Sequence, residues 1–351
     1  MAGSTRLWKG LWLAAALLGL VAAALLRALS ASMAAPSPVS EGTQFTVRPG
    51  TSLRGVLAEL SRIGAVPHPV LVEWYLRLHG QHPHVQAGTY ALSGGASARQ
   101  ILAQLAAGQV ILAQVTIVEG WTFAQMRLAL NENTALTHDC RALSDAALMK
   151  ALGQDGVPAE GRFYPDTYRF GSGTSDRRIY ELALQRMAER LQQEWQARAP
   201  GLPLTDATGA LLLASIIEKE TGREDERAKV AAVFVNRLRI GMRLQSDPTV
   251  IYGLGDRYDG NLRRRDLEAD GAFNSYTRAG LPPTPIALPG GAALHAALHP
   301  EAIPALYFVA TGFGDGSHHF SASYAEHNDA LLRFLRRTGA HPDRAVTGGL
   351  R

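Results

Sequence analysis

The chain has 351 residues, 46% of them apolar and 19% charged, which gives a substantial core, room for about two domains, and too little charge for a disordered polymer. Its net charge of +4 comes almost wholly from arginine, lysine occurring only at positions 9, 150, 219 and 229, and no basic cluster interleaved with aromatics suggests a nucleic-acid surface. The single Cys140 excludes an intrachain disulfide.

Arg6 and Lys9 precede an uninterrupted apolar run from Gly10 to Leu26, which Arg27 closes. At 1.5 Å per residue the run is roughly 26 Å long, at the short end for a membrane-spanning helix. Trp8 and Trp12 sit where interfacial aromatics belong, and the basic flank predicts a cytoplasmic N-terminus with the rest of the chain outside the inner membrane. The small residues from Ser30 to Ala35 also fit a cleaved signal peptide, and either reading exports the protein. The expected division is a cytoplasmic end at 1–9, a single-pass anchor at 10–29 and a Pro/Ser/Ala-rich linker at 30–43.

Three weakly similar units follow. Phe45–Ser52, Tyr90–Ser97 and Val115–Thr122 each read as a short strand, a glycine turn and a hydroxyl N-cap, followed by the amphipathic segments Leu53–Leu60, Ile101–Leu105 and Met126–Leu130. Ser97 with Gln100, and Thr122 with Gln125, have capping-box spacing. Val70–Leu78 reads as another helix between the first two units. The strand, turn and helix resemble the LysM type of glycan-binding module, expected at 44–112; a plain α+β scaffold without chemistry fits the same pattern. A polar helical stretch is predicted from about Asn131 to Gln154 and an ordered loop feeding a strand at Glu160–Tyr168. A long amphipathic helix over Ile179–Ala199 ends at the Pro-Gly-Leu-Pro break of 200–203.

The chemistry concentrates beyond that break. Ala207–Glu220 reads as a helix that is apolar nearly all round until its last turn, and so should be buried. Glu218 falls on the stripe of Leu211 and Ala214, while Lys219 and Glu220 point elsewhere. A carboxyl on such a stripe loses hydration and keeps its proton to higher pH, as a general acid must, although periodicity alone equally fits a glutamate at the point where a helix surfaces. A second apolar helix starts near Ala228. Gln245, Ser246, Asp247, Thr249, Tyr252, Asn274 and Tyr276 then supply the amide, hydroxyl and aromatic groups that hold sugars, with Asp247 equally suited to capping a turn. The proline-rich 279–286 stretch is stiff enough for a cleft wall.

Ala214–Thr221, Gln245–Thr249, Gly280–Pro283 and Tyr324–Asn328 together resemble the MltG (YceG-like) endolytic murein transglycosylases, in the same order and over the chain from the anchor to about residue 337. The resemblance implies an α+β protein with an N-terminal transmembrane helix, a small LysM-like strand–helix module and a larger mixed catalytic domain at 113–340, before a tail at 341–351. It implies that Glu218 is the catalytic residue, that peptidoglycan glycan strands are the substrate, and that membrane-bound peptidoglycan synthases are partners. It further implies lytic cleavage of the MurNAc–GlcNAc bond to a 1,6-anhydromuramyl end, and catalysis in the periplasm. The sequence departs from the family pattern at Val118-Glu119-Gly120, at Phe273-Asn274-Ser275-Tyr276 and at Leu288. The first departure reads as structural; the other two bear on cleft contacts.

Other chemistries lack their residues. No His-Glu-x-x-His spacing is present, and the His318, His319, Glu326 and His327 group has no recognised ligand spacing, so no metal and no cofactor is expected. No lysine lies in a phosphate-cradling loop and no Gly-x-Ser-x-Gly elbow occurs. A non-catalytic, membrane-anchored glycan-binding scaffold for the synthases is the alternative from another class.

Overall fold

Capping and apolar signals organise residues 4–48 and 50–339, the part of the chain described by the computed structural model, into thirteen α-helices and eight short strands. Residues 1–3, within the expected cytoplasmic end, and the 341–351 tail lie outside the described residues. The fold is mixed α+β, with every sheet two-stranded. The chain forms two compact units, one of residues 1–113 with 169–174 and one of 114–168 with 175–351.

In the first unit, helix α1 (Ser4–Ala34) contains a stretch, Leu11–Ala34, long and apolar enough to cross a membrane. Its large apolar side chains from Leu11 to Leu26 are exposed, but Leu29 and Met33 are buried. They enter a core shared with α2 (Leu53–Arg62), α3 (Pro69–Leu78) and α4 (Ala98–Ala106). Strand β1 (Thr43–Val47) pairs antiparallel with β2 (Gly88–Leu92), placing Phe45 opposite Tyr90 and Thr46 opposite Thr89. Two helices therefore lie between two paired strands, in the order β-α-α-β. Ser52 caps α2, and Ser97 forms the anticipated capping box with Gln100 on α4. The Tyr90 ring fills the centre, fully buried, and its hydroxyl donates to the Gln86 carbonyl at 2.6 Å.

Strand β3 (Leu112–Thr116) leads to α5 (Phe123–Glu132), whose Thr122–Gln125 capping box also forms as anticipated. The polar stretch after it is not the continuous helix expected from sequence. A two-residue strand, β4 (Leu136–Thr137), intervenes, and only α6 (Asp145–Ala151) is helical. Local polar groups divert the chain: Asn133 Oδ1 takes the Ala135 amide, and the buried Asp176 carboxylate takes the Cys140 amide at 3.1 Å. Strands β5 (Thr167–Gly171) and β6 (Thr174–Ser175) precede α7 (Asp176–Gln196).

The core of the second unit forms around α8 (Ala207–Glu220). Leu211, Leu213, Ala214, Ile216 and Ile217 are all fully buried, as a helix apolar nearly all round requires. Helix α9 (Arg227–Arg239), α10 (Asp247–Leu254) and α12 (Gly291–Leu298) pack on it, and the short α11 (Arg264–Glu268) lies in the loop between α10 and α12. A hairpin of β7 (Tyr307–Ala310) and β8 (His318–Ser321) and the final α13 (Tyr324–Thr338) complete the unit.

The 281–290 segment runs across α8 as a strap. Ile286 N–H donates to Ser215 Oγ at 3.1 Å, and Leu288 exchanges hydrogen bonds with Gly120 and Trp121 at 2.9 and 2.7 Å. Gly161 closes against this strap with φ of +77°, and a Cβ there would lie 2.4 Å from Pro285 Cβ. Gly161→Ala therefore meets both a strained backbone and a clash. It is expected to cost roughly 1–3 kcal/mol or more of stability, read as a lower Tm; an unchanged Tm would show that the strap is not packed tightly here.

Candidate active site

Glu218 stands in the last turn of α8 where the buried stripe reaches the surface, and it is half-buried. Its Oε2 accepts the Gly290 amide proton at 2.9 Å, so the strap's end fixes the carboxyl. Loss of hydration raises its pKa above the ordinary glutamate value, the Gly290 hydrogen bond pulls it back in part, and the negative charge of Glu119 pushes it up again. Among the described residues Oε1 has no protein donor. Glu218 thus has one oxygen anchored and one that can carry a proton outward.

From sequence, Glu119 belongs to the Val118-Glu119-Gly120 departure, which reads as structural and carries no catalytic expectation. It lies at the second position of the turn 118–121, which closes through Trp121 N–H to the Val118 carbonyl and carries Gly120 at φ +77°. Its exposed side chain reaches Gly290, where an added Cβ would fall 1.9 Å from Glu119 Oε1. The absence of a side chain at Gly290 leaves room for the second carboxylate beside Glu218. Lys219 Nζ donates to the Gly120 carbonyl at 3.1 Å and ties the end of α8 to the same turn. The Glu-Gly pair is the local signal that could have found it: a charged residue presented by a turn that needs positive φ.

The family-pattern departure at Leu288 has a structural reading. Its side chain is fully buried, and its backbone makes the two bonds to the 118–121 turn. Position 288 holds the strap through main-chain groups, so the change of side chain leaves those bonds intact.

The seven residues expected to hold sugars fall into two groups. Gln245, Ser246, Asp247, Thr249, Asn274 and Tyr276 form one hydrogen-bonded patch with Ser275. Ser246 N–H donates to Ser275 Oγ at 2.9 Å, and Thr249 Oγ1 lies 2.8 Å from the same oxygen. Tyr276 O–H donates to Asp247 Oδ1 at 2.6 Å. Asn274 donates to the carbonyls of Asp266, Leu267 and Ala269, at 3.2, 3.0 and 2.7 Å, and accepts the Tyr276 amide. Ser246, Asp247, Thr249 and Asn274 are buried, and their polar atoms bond within the protein. Gln245 differs. Its side chain is exposed and its φ of +51° is the only positive value at a non-glycine residue among the described residues. Tyr252 stands in the second group: its hydroxyl donates to Glu160 Oε2 at 3.1 Å, and its ring meets Phe273 edge-on with centroids 4.9 Å apart.

Two further carboxyls escaped the sequence reading. Glu160 accepts the Phe123 amide at the start of α5 at 2.9 Å, and burial lifts it to about 7. Glu220 accepts Ser246 Oγ–H and thereby joins α8 to the polar patch. Burial, with the charge of Asp247 added, lifts Glu220 to about 8, while burial lifts Asp247 to about 6 against its Tyr276 bond. Neither glutamate lies on the Glu218 stripe, which is why periodicity pointed away from Glu220.

Of the group weighed for metal, His318 bonds Glu226 at 2.7 Å and Glu326 closes the capping box of α13. Glu194, His295 and His299 do bring ligand atoms within 4.8 Å of one another, but Arg190 at 2.7 Å and His295 at 2.9 Å already occupy the two oxygens of Glu194.

The sequence profile described as the YceG-like family matches residues 45–333. The chain is 29% identical over 319 residues to a Bacillus subtilis protein named endolytic murein transglycosylase, covering 85% of this chain and 87% of that one. It is 25% identical over 295 residues to a Streptococcus pneumoniae protein of the same name, covering 74% of this chain but 53%, about half, of the relative. A crystal structure of a yceG-like protein from Listeria monocytogenes superposes with a TM-score of 0.50 at 27% identity, covering 83% of this chain and 99% of that one.

The raised Glu220 carboxyl gives a signed pH dependence. A carboxyl that holds its proton more tightly when folded stabilises the fold fully below about pH 4.5, its unfolded value, and loses that contribution as pH rises through 8. Stability of the protein is therefore expected to fall between pH 5 and 8, and Glu220→Gln should flatten the fall while raising Tm at pH 8. Calorimetry of both proteins across that range checks it, and parallel curves would refute it.

Proposed function

The chain belongs to the YceG-like family, and we propose that it is an endolytic murein transglycosylase, a lytic enzyme that cuts the MurNAc–GlcNAc bond of nascent peptidoglycan strands and so ends their elongation. The observation that carries this reading is the half-dry Glu218, fixed through one oxygen by Gly290 and free to carry a proton on the other.

Glu218, protonated, donates to the glycosidic oxygen; the bond from that oxygen to the muramyl C1 breaks, and oxocarbenium character develops at C1. The ionised Glu218 then takes the proton of the same sugar's 6-hydroxyl as its oxygen bonds to C1. The product is a 1,6-anhydro end, the carboxyl regains its proton, and no water is consumed. One carboxyl serves as acid and then base because the nucleophile belongs to the substrate. The attack is intramolecular, which removes the entropic cost of positioning a water. The charge of Glu119 beside Glu218 favours the protonated form at the start of the cycle.

Sugar contact is assigned to the seven residues in different ways. Gln245 offers an exposed amide from a strained backbone, a combination common at ligand sites. Ser246, Asp247, Thr249, Asn274 and Tyr276 shape the wall that carries it, and Tyr252 with Phe273 supplies an aromatic edge. The β-α-α-β order of the first unit supports a LysM-like module that holds glycan. Its helix α1 is read as a single-pass inner-membrane anchor with the N-terminus in the cytoplasm and the catalytic unit in the periplasm. Membrane-bound peptidoglycan synthases follow as partners, since a cutter of nascent strands works where they emerge.

Glu218→Gln keeps size and the Gly290 hydrogen bond but cannot release a proton; kcat is expected to fall by about 10²–10⁴-fold. Mass analysis of digested murein reads the outcome, and anhydro ends formed at an undiminished rate would refute the assignment. Glu119→Gln removes the like charge, so Glu218 should ionise more easily and the alkaline limb of kcat/KM should move to lower pH. An unmoved limb would deny Glu119 any electrostatic hold on Glu218.

A further inference from the structure

A helix that crosses about 30 Å of hydrocarbon needs about 20 apolar residues. Between Lys9 and Arg27, α1 offers 17. It cannot gain length at its C-terminal end, because Leu29 and Met33 are 6% and 2% exposed and belong to the core of the first unit. At 1.5 Å per residue, that core begins about 5 Å along the helix from Leu26, the last large exposed apolar side chain of α1. The unit therefore meets the bilayer directly, with no spacer between lipid and protein. A span this short is accommodated by thinning the bilayer or by bringing flanking apolar surface down to it.

Helix α3 carries such a surface. It packs against α1 through the unit's core, burying Val72, Tyr75 and Leu76. Its opposite face is also apolar: Val70, Trp74 and Leu78, spaced four apart, are 62%, 58% and 61% exposed. Arg77 lies over the Trp74 ring at 5.9 Å and also pairs with Glu73 at 2.7 Å. An exposed tryptophan edged by arginine is the composition of a membrane–water interface. Charge agrees. Residues 27–113 hold six arginines, three glutamates and no lysine or aspartate, an excess complementary to anionic headgroups.

We propose that the Val70–Trp74–Leu78 face of α3 is a second membrane contact, seated in the headgroup–acyl boundary of the anionic bilayer that α1 crosses. The proposal rests on the anchored reading of α1 and extends it: the short span and this face together hold the first unit on the lipid surface.

Spin labels test it on the full chain in nanodiscs of mixed zwitterionic and anionic lipid, one copy per disc. Val70→Cys, Trp74→Cys and Leu78→Cys are labelled singly, the native Cys140 being buried and so protected from reagent. Leu20→Cys in α1 and the exposed Leu128→Cys in α5 serve as references. The α3 labels should collide several-fold less with a water-soluble nickel chelate than the label at 128, and more with oxygen dissolved in lipid. Labels at 70, 74 and 78 that behave like 128, with 20 shielded, overturn the proposal and leave the anchor standing. A water-accessible label at 20 overturns both. Shielding of the α3 labels only when copies are crowded in liposomes, not in single-copy discs, assigns the face to a second copy and overturns the lipid contact.

Discussion

The hydrogen bond from the Gly290 amide to Glu218 is the constraint on which the rest of the second unit turns. A carboxyl at the end of a buried helix has two ways to recover lost hydration: swing into solvent or find a donor. The strap supplies the donor and holds it in place at three more points, through Ser215, Trp121 and Gly120. Residues far apart in sequence, 118–121, 215–219 and 281–290, thus meet at one carboxyl. Because that single donor is a neutral amide and not a cation, it orients Glu218 without stripping its proton, which is the balance that acid catalysis needs.

The polar patch next to it illustrates a different use of burial. Ser246, Thr249 and Ser275 satisfy one another, Asn274 gathers three carbonyls of the loop that carries α11, and Tyr276 holds Asp247. Such a network is stiff only when every member is paired. The bond from Ser246 to Glu220 brings it to the same helix that bears Glu218, two residues away. Glu218 and the carboxyl that ties down the polar patch therefore share one helix, although their side chains leave it in different directions.

Much of this was legible in the sequence where local rules decide. The capping boxes at Ser97 and Thr122, the buried helix 207–220 and the stripe that brings Glu218 to its end all follow from spacing and side-chain chemistry. What stayed hidden was set by long-range pairing. The 131–154 segment lost its helix to Asn133 and to an aspartate thirty-six positions downstream of Cys140. Glu119, Glu160 and Glu220 became notable only once Gly290, Phe123 and Ser246 were beside them. Conversely, Asn274 and Thr249 have the side-chain types of sugar ligands, yet folding directs their polar atoms inward. Composition announces which groups can bind a hydroxyl; only the fold decides whether the hydroxyl is the substrate's or the protein's own.

Leu29 and Met33 carry a consequence for the first unit as a whole. A membrane span joined to its domain by a loose tether is portable, since any hydrophobic segment of similar length will serve. Here Leu29, Ser32 and Met33, in the last turns of α1, are interior residues of the β-α-α-β unit, with no swivel between helix and unit. On the anchored reading proposed for α1, torque about the helix axis would pass into the unit, which could not then spin freely above the lipid. An anchor built in this way contributes bearing as well as attachment, and exchanging it means redesigning a piece of the hydrophobic interior as well.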